Sequence, residues 1–379
     1  MKSEISSLEL YYLMRELKVL EGAKVDRVFH AKGAQRELLI GFHITGQGKK
    51  FLRIILPSMI FLSDYKESSD TPTGFCMMLR KYLEGSRIKG IRQKDFERII
   101  EMEFDAKGTK FYIIAELFSK GNMIFCDDKY KILNILEQQH WKERELKKDE
   151  IYLYPKSSFN ALTASKEEFS SKIINSGKES VIKAVAIALG LGGTYAEEMC
   201  AGTGIDKSGN VKNLTEKNMT MLYKNFKKLF DMEPKTNFTD GNIFPFELES
   251  FKNKEDISKI EKKYYGSFSE AIAENYSIMR NADILKGHDK GLDKMREIIA
   301  DQEKLLKEYQ DSYEENQDKG ELIYEKYQEI KNIMETIISA RKKYSWKDIK
   351  KKLDDNPDMK KFVKDIDEKT SSIIIEIEK

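Results

Sequence analysis

Apolar residues that step by three and four places for more than six heptads limit what this chain can fold into. Leu292, Met295, Ile299, Gln302, Leu306, Tyr309 and Tyr313 keep the step, Asn316 and Gly320 weaken it, and Ile323, Tyr327, Ile330, Met334 and Ile337 resume it. Such a seam predicts one long helix from about Ser267, which at ~1.5 Å per residue reaches roughly 100 Å and has no place inside a compact globule. Tyrosine and methionine on the seam favour an imperfect helical hairpin over a tight symmetric zipper, and an unpaired seam predicts self-association. The 34% of charged residues, above the usual quarter, fits such a solvated helical portion.

The other 300 or so residues change period several times, as expected of two or three domains. Residues 1–22 read as a helix: Ser6 and Glu9 make a capping box, Ile5 and Leu10 a hydrophobic staple, and Leu10, Leu13, Leu17 and Leu20 a buried stripe. From Lys24 to about residue 160 the pattern is mostly alternating. KVDRVFHA, ELLIGFHI, KFLRIIL, MIFLSDY, RIKGIRQ, ERIIEMEFD, KFYIIAELF, NMIFCDD and KILNILEQ are punctuated by glycine- and aspartate-rich turns. This predicts an α+β domain over residues 1–165, with a sandwich-like antiparallel sheet.

Residues 166–235 return to helical periodicity around ALGLGGTYAEEMCAGTGI. Gly190, Gly192 and Gly193 interrupt two helices, and Thr194 with Glu197 forms a second capping box that would open the later helix. The layout is that of a helix-hairpin-helix, whose glycines let amide N–H groups reach phosphate oxygens. A glycine turn between two packed helices reads equally well. Residues 236–266 are an irregular or β-containing connector, and 267–343 hold the coiled-coil helix. Residues 344–379 read as short helices through Asp367 and then a strand, TSSIIIEIEK, as at the start of a further domain in a longer protein.

Charge is segregated in one place. TPTGFCMMLRKYLEGSRIKGIRQKDFERIIEMEF begins with a helix capped by Thr71 or Thr73 and closed at Gly85. Arg80, Lys81, Arg87, Lys89, Arg92 and Lys94 then face one acid, Glu84, before Asp95, in a chain whose net charge is only +2. Six positive charges against one favour a polyanion. The pair Glu97-Arg98 closes the segment.

Several function classes find no support. Cys76, Cys126 and Cys200 are far apart with no CxxC, and read as buried free thiols in a reducing, cytoplasmic setting. No run approaches the ~20 apolar residues of a membrane span. His30, His43, His140 and His288 lack metal-ligand spacing, and neither a phosphate-binding loop nor a cofactor motif occurs.

Taken together, these motifs resemble the NFACT family, which includes the RqcH and NEMF ribosome-quality-control factors. The likeness covers essentially the whole chain. The segment from Thr71 to Phe104 resembles the family's P-S-x-F-C-x-L-L-R-K and D-R-I core, ELFSKGNMIFCD its E-L…G-N strand pair, and GLGGTYAEEMC its helix-hairpin-helix. SFSEAIAENY, ELIYEKYQEI and SWKDIKKKL resemble its coiled coil and entry to the middle domain. The resemblance implies a glycosylase-like N-terminal sheet domain and a protein that binds large ribosomal subunits obstructed by peptidyl-tRNA. It also implies that the protein holds tRNA and contacts rRNA, and that it supports mRNA-independent alanine-type tailing, with peptide transfer left to the ribosome. Glu9, Arg98, Glu97, the basic connector and Gly190–Thr194 are the RNA-binding candidates. Glu9 and Glu97 stand where the family commonly has Asp, a difference of one methylene and roughly 1.5 Å of reach. Two other readings are a helix-hairpin-helix nucleic-acid binder unconnected with the ribosome, and a fibronectin-binding adhesin. Bifunctional glycosylases of the MutM type, which the layout also resembles, use an N-terminal proline amine as nucleophile, and this chain starts Met1-Lys2-Ser3-Glu4.

Overall fold

The computed structural model describes residues 3–31, 34–66, 72–141, 144–156, 159–252, 261–367 and 369–377. Thr71 and the Lys32-Gly33 turn lie outside them. By its internal contacts the chain divides into two units, Met1–Ala282 and Asp283–Lys379.

Helix α1 (Ser7–Leu17) opens the first unit with the expected capping box. Glu9 N–H donates to Ser6 Oγ at 3.3 Å, and Ser6 N–H donates to Glu9 Oε2 at 2.7 Å. Nine strands follow, interrupted once by α2 (Gly74–Leu83): β1 (Lys24–Ala31), β2 (Ala34–Ile44), β3 (Gly48–Ile55), β4 (Met59–Ser63), β5 (Arg87–Gln93), β6 (Ile99–Ala106), β7 (Thr109–Glu116), β8 (Asn122–Asp127) and β9 (Ile132–Ile135). They form one antiparallel sheet in the order β4-β3-β2-β1-β5-β6-β7-β8-β9. Two meanders therefore meet at β1 and β5, where Lys24 opposite Arg87 is the one registered pair. A single apolar core serves both. Leu10, Leu13, Leu17 and Leu20 enter it beside Leu52 and Phe61 of the first meander and Phe104 and Phe125 of the second. Each of these fully buried side chains contributes about 1.5–3 kcal/mol. Thr73 caps α2, its Oγ1 accepting from Cys76 N–H at 3.3 Å, and Gly85 follows the helix at φ +82°. The cysteines are buried free thiols, and burial pushes Cys126 up to about 12 and Cys200 up to about 11.

A small hairpin, β10 (Gln139–Trp141) with β11 (Arg144–Leu146), leads to four helices: α3 (Lys166–Ile174), α4 (Val181–Ala188), α5 (Gly192–Cys200) and α6 (Glu216–Lys228). Their core gathers Phe169, Val185, Leu222 and Phe226 with Leu8 and Tyr12 of α1. The segment after α6 is more ordered than a connector. β12 (Asn237–Thr239), β13 (Asn242–Phe244) and, after the short α7 (Glu249–Lys252), β14 (Lys262–Tyr264) make a three-stranded sheet. Phe244, Phe246 and Leu248 from this segment enter the helical core.

The long helix is α8 (Phe268–Glu325), and its first turns belong to the N-terminal core. Phe268, Ala271 and Ile272 are about 1% exposed. Both oxygens of Glu16, on α1, accept from the first amides of α8, Phe268 at 2.6 Å and Ser269 at 2.9 Å. The Tyr276 hydroxyl donates to Glu37 Oε2 at 2.7 Å. Glu37 lies 2.9 Å from Arg53 without hydrogen-bond alignment, so charge holds that buried pair.

The second unit continues α8 and adds α9 (Tyr327–Arg341), α10 (Trp346–Asp354), α11 (Pro357–Lys360), β15 (Val363–Asp367) and β16 (Ser372–Ile375). Met295 and Tyr313 on the seam are 64% and 70% exposed. Beyond Ile330 the buried stripe is Ile333 and Ile337, packed with Ile349, Val363 and Ile366, while Met334 faces out. Ile337 keeps its expected place on the seam, and Ile333 takes the place expected of Met334 where a small core captures the helix. Val363–Asp367, expected as helix, pairs with β16, because Val363 and Ile366 alternate into that core across a bulge.

Candidate nucleic-acid interface

Residues 94–98 turn the chain from β5 into β6. Asp95 and Phe96 adopt φ of +46° and +64°, a conformation that bulky L-residues occupy at a cost of about 1–3 kcal/mol each. Burial offsets that cost. Phe96 is 6% exposed and meets Phe230 edge-on with ring centres 5.2 Å apart, which pins the turn to the end of α6. Gln93 ties the same turn to α1, its Nε2 donating to Ser7 O and Glu97 O, each at 3.0 Å.

Arg98 follows, and its ion-pair partner is Glu4, at 3.0 Å. A second guanidinium nitrogen donates to Pro57 O at 2.9 Å. Its Nε is buried with no hydrogen-bond partner among the described residues, as is Gln93 Oε1. Both atoms are sealed from solvent, so they belong to the inside of the turn and not to a surface that a ligand could meet.

Glu9 is fully buried. Beyond closing the capping box, its Oε1 accepts from the Tyr195 hydroxyl at 2.7 Å, which fastens α1 to α5. Burial, reinforced by the Glu9 charge, holds the Tyr195 hydroxyl well above its ordinary value, so it stays a donor at neutral pH. Glu9 has no exposed surface, and what it positions is α5.

The glycine turn sits at the start of α5. Gly190 and Gly192 have φ of +66° and +75°, while Leu189 and Leu191 beside them are buried. No side chain caps α5, and Gly190, Gly192, Gly193 and Thr194 are exposed. The expected box of Thr194 and Glu197 is not present. The helix starts at Gly192 after Leu191, because the positive φ of Gly192 lets the chain enter the helix early and places Thr194 inside its first turn.

The basic connector is far less unopposed than it reads along the chain. Antiparallel pairing sets the acids of β6 against it: Arg87 opposite Asp105, Arg92 opposite Glu101. Arg92 pairs with the buried Glu101, Lys89 reaches Asp105 at 3.5 Å, and Lys94 reaches Asp95 at 2.8 Å. Arg87 donates to Gly22 O at 2.8 Å. Arg80 donates to Val28 O at 2.6 Å and lies 4.0 Å from Glu84. Lys81 lies over the Tyr82 ring at 5.5 Å. Sequence reasoning missed Glu4, Gln93, Phe96 and Tyr195, whose partners are remote along the chain and carry no spacing signal. Among the described residues no cluster of His, Cys, Asp or Glu could hold a metal, and no helix is long and apolar enough to cross a membrane.

Known proteins match this architecture. The chain is 30% identical over its full length to the archaeal Rqc2 homolog aRqcH of Methanocaldococcus jannaschii, of which it spans 58%. It is 24% identical to the human ribosome quality control complex subunit NEMF, with 90% of this chain and 34% of NEMF covered. The N-terminal structure of the fibronectin/fibrinogen-binding protein from Streptococcus suis superposes with a TM-score of 0.57 at 22% identity, covering 72% of this chain and 99% of that one. That likeness carries the fold alone. The family model for NFACT N-terminal and middle domains matches residues 6–366, and the chain belongs to the NFACT family.

Proposed function

We propose that this chain works in ribosome-associated quality control. In this reading it binds large ribosomal subunits obstructed by peptidyl-tRNA, contacts rRNA, and holds a tRNA that supports mRNA-independent, alanine-type tailing of the stalled chain. Peptide transfer is the ribosome's, and this chain works by binding. Two kinds of support stand behind the reading: membership of the NFACT family, and the names of its relatives, an archaeal Rqc2 homolog and the ribosome quality control complex subunit NEMF. The observation that carries it furthest is the braced turn at Lys94–Arg98. A strained turn anchored by the buried Phe96 lies next to α1, and α1 in turn holds the uncapped, glycine-led α5. Backbone amides at such a helix start suit phosphate.

The test is retrieval of the bound RNA. The tagged chain is recovered from cells under low salt and its RNA is sequenced. Enrichment of one tRNA species together with large-subunit rRNA is expected. Recovery of bulk RNA in cellular proportions would overturn the reading and favour a nucleic-acid binder unconnected with the ribosome.

A further inference from the structure

The α4–α5 hairpin has a second end, and its charge is of a different kind. Residues 176–182, entering α4, are laced by backbone hydrogen bonds to residues 205–213, which follow α5. Val181 N–H donates to Gly209 O at 3.0 Å, Ile182 N–H to Lys207 O at 3.0 Å, and Val211 N–H to Glu179 O at 2.8 Å. The Ser180 hydroxyl adds a bond to Lys207 O at 3.1 Å. Two loops distant in sequence thus form one surface, and it carries Lys178, Lys183, Lys207 and Lys212, all exposed.

None of these four lysines forms an ion pair with any described residue, in contrast to Lys89, Arg92, Lys94 and Arg98. The acids of the two loops are Glu179 and Asp206, and the Asp206 carboxylate accepts from Ser208 N–H at 2.9 Å within its own turn. Four unneutralised ammonium groups on a hydrogen-bonded platform fit the spaced charges of a nucleic-acid backbone, since lysine meets phosphate as a point charge without base readout. The surface lies at the start of α4 and the glycine turn at its end, eight residues and about 12 Å away. One folded RNA is long enough to span both ends.

We propose that Lys178, Lys183, Lys207 and Lys212 form a phosphate-backbone docking surface for the same tRNA that the glycine turn engages. This rests on the tRNA-holding reading above. The surface adds affinity and salt dependence without adding sequence preference.

The experiment uses the full chain and deacylated tRNA, with the dissociation constant measured across a potassium chloride series. Replacing all four lysines by glutamine is expected to lower the slope of log affinity against log salt by about 3, at roughly 0.7–0.9 per phosphate contact. Replacing them by arginine is expected to leave the slope in place. An unchanged slope in the glutamine variant overturns the proposal. So does an unchanged tRNA slope accompanied by lost co-sedimentation with large subunits, which would assign the surface to rRNA. Should circular dichroism show that the fourfold variant is unfolded, the pair Lys207→Gln and Lys212→Gln is expected to give about half the change, and no change in that pair is equally fatal. Wild-type protein that retains no tRNA at any salt would instead bring down the tRNA-holding reading itself.

Discussion

The Tyr195 hydroxyl donates a 2.7 Å hydrogen bond to Glu9, joining the first turn of α1 to the first turns of α5 across 186 residues of sequence. Glu9 is an acid sealed from water, and this bond and the capping box are among the contacts that replace its hydration. The start of α5 is therefore fastened to α1 by a carboxylate with no exposed surface.

Removing that donor tests the arrangement. Tyr195→Phe is expected to lower stability in urea by about 1–3 kcal/mol, because a buried charged acceptor loses a partner while the ring stays packed. Tyr223→Phe is the control. Its hydroxyl meets the neutral carbonyl of Ala164 at 3.0 Å, and the expected loss is about 0.5–1.5 kcal/mol.

Arg98 separates charge from scaffolding. If its guanidinium meets RNA, Arg98→Ala reduces tRNA retention roughly tenfold, the equivalent of about 1.4 kcal/mol. Glu4→Gln then raises retention by freeing positive charge, since Glu4 is half exposed and its pairing contributes little to folding. Filter binding of both variants, beside their melting temperatures, decides the matter. Retention falling in both would make Arg98 a structural brace.

The root of α8 supplies a third prediction. Arg53 and Glu37 are 5% and 2% exposed, so Arg53→Ala strands a buried carboxylate and is expected to cost about 3–5 kcal/mol in chemical denaturation. The combined Arg53→Met and Glu37→Leu replacement is expected to recover most of that loss, because desolvating the pair nearly cancels its attraction. A double variant as weak as the single one would show that the Tyr276 bond, not the ion pair, is what matters.

Acid should loosen the three-stranded sheet. Hydrogen bonds from Lys262, Tyr264 and Lys235 hold Glu247 down to about 2, against an ordinary 4.5. Above pH 4.5 the carboxylate is ionised whether folded or not, and its stabilisation is complete. As pH falls from 4.5 toward 2 the unfolded chain takes the proton first, and that stabilisation is lost. Glu247→Gln is expected to flatten this part of the stability-against-pH curve; a curve identical to wild type would refute the assignment.

What could be read from the sequence was local. The Ser6–Glu9 box, the Leu10–Leu20 stripe and the strand alternation involve residues one to four apart, where helix and strand periods speak directly. The basic connector was misleading for the same reason. A linear count finds Glu84 as the acid among six cations, whereas Asp105 and Glu101 face Arg87 and Arg92 only once β5 and β6 take their register. Glu4 and Arg98 lie 94 residues apart, and no pattern along the chain announces such a pair. The Thr194 box failed because its motif matched while Gly192, two residues earlier, had the freer backbone.

Anyone dividing this chain for expression would be drawn to cut where the long helix begins. Glu16 makes that a costly choice. A fragment ending before Phe268 would leave a bidentate carboxylate facing water and open the cavity that Phe268, Ala271 and Ile272 now fill. The fragment to express ends at Ala282, with the first four turns of α8 kept as the last wall of the N-terminal fold.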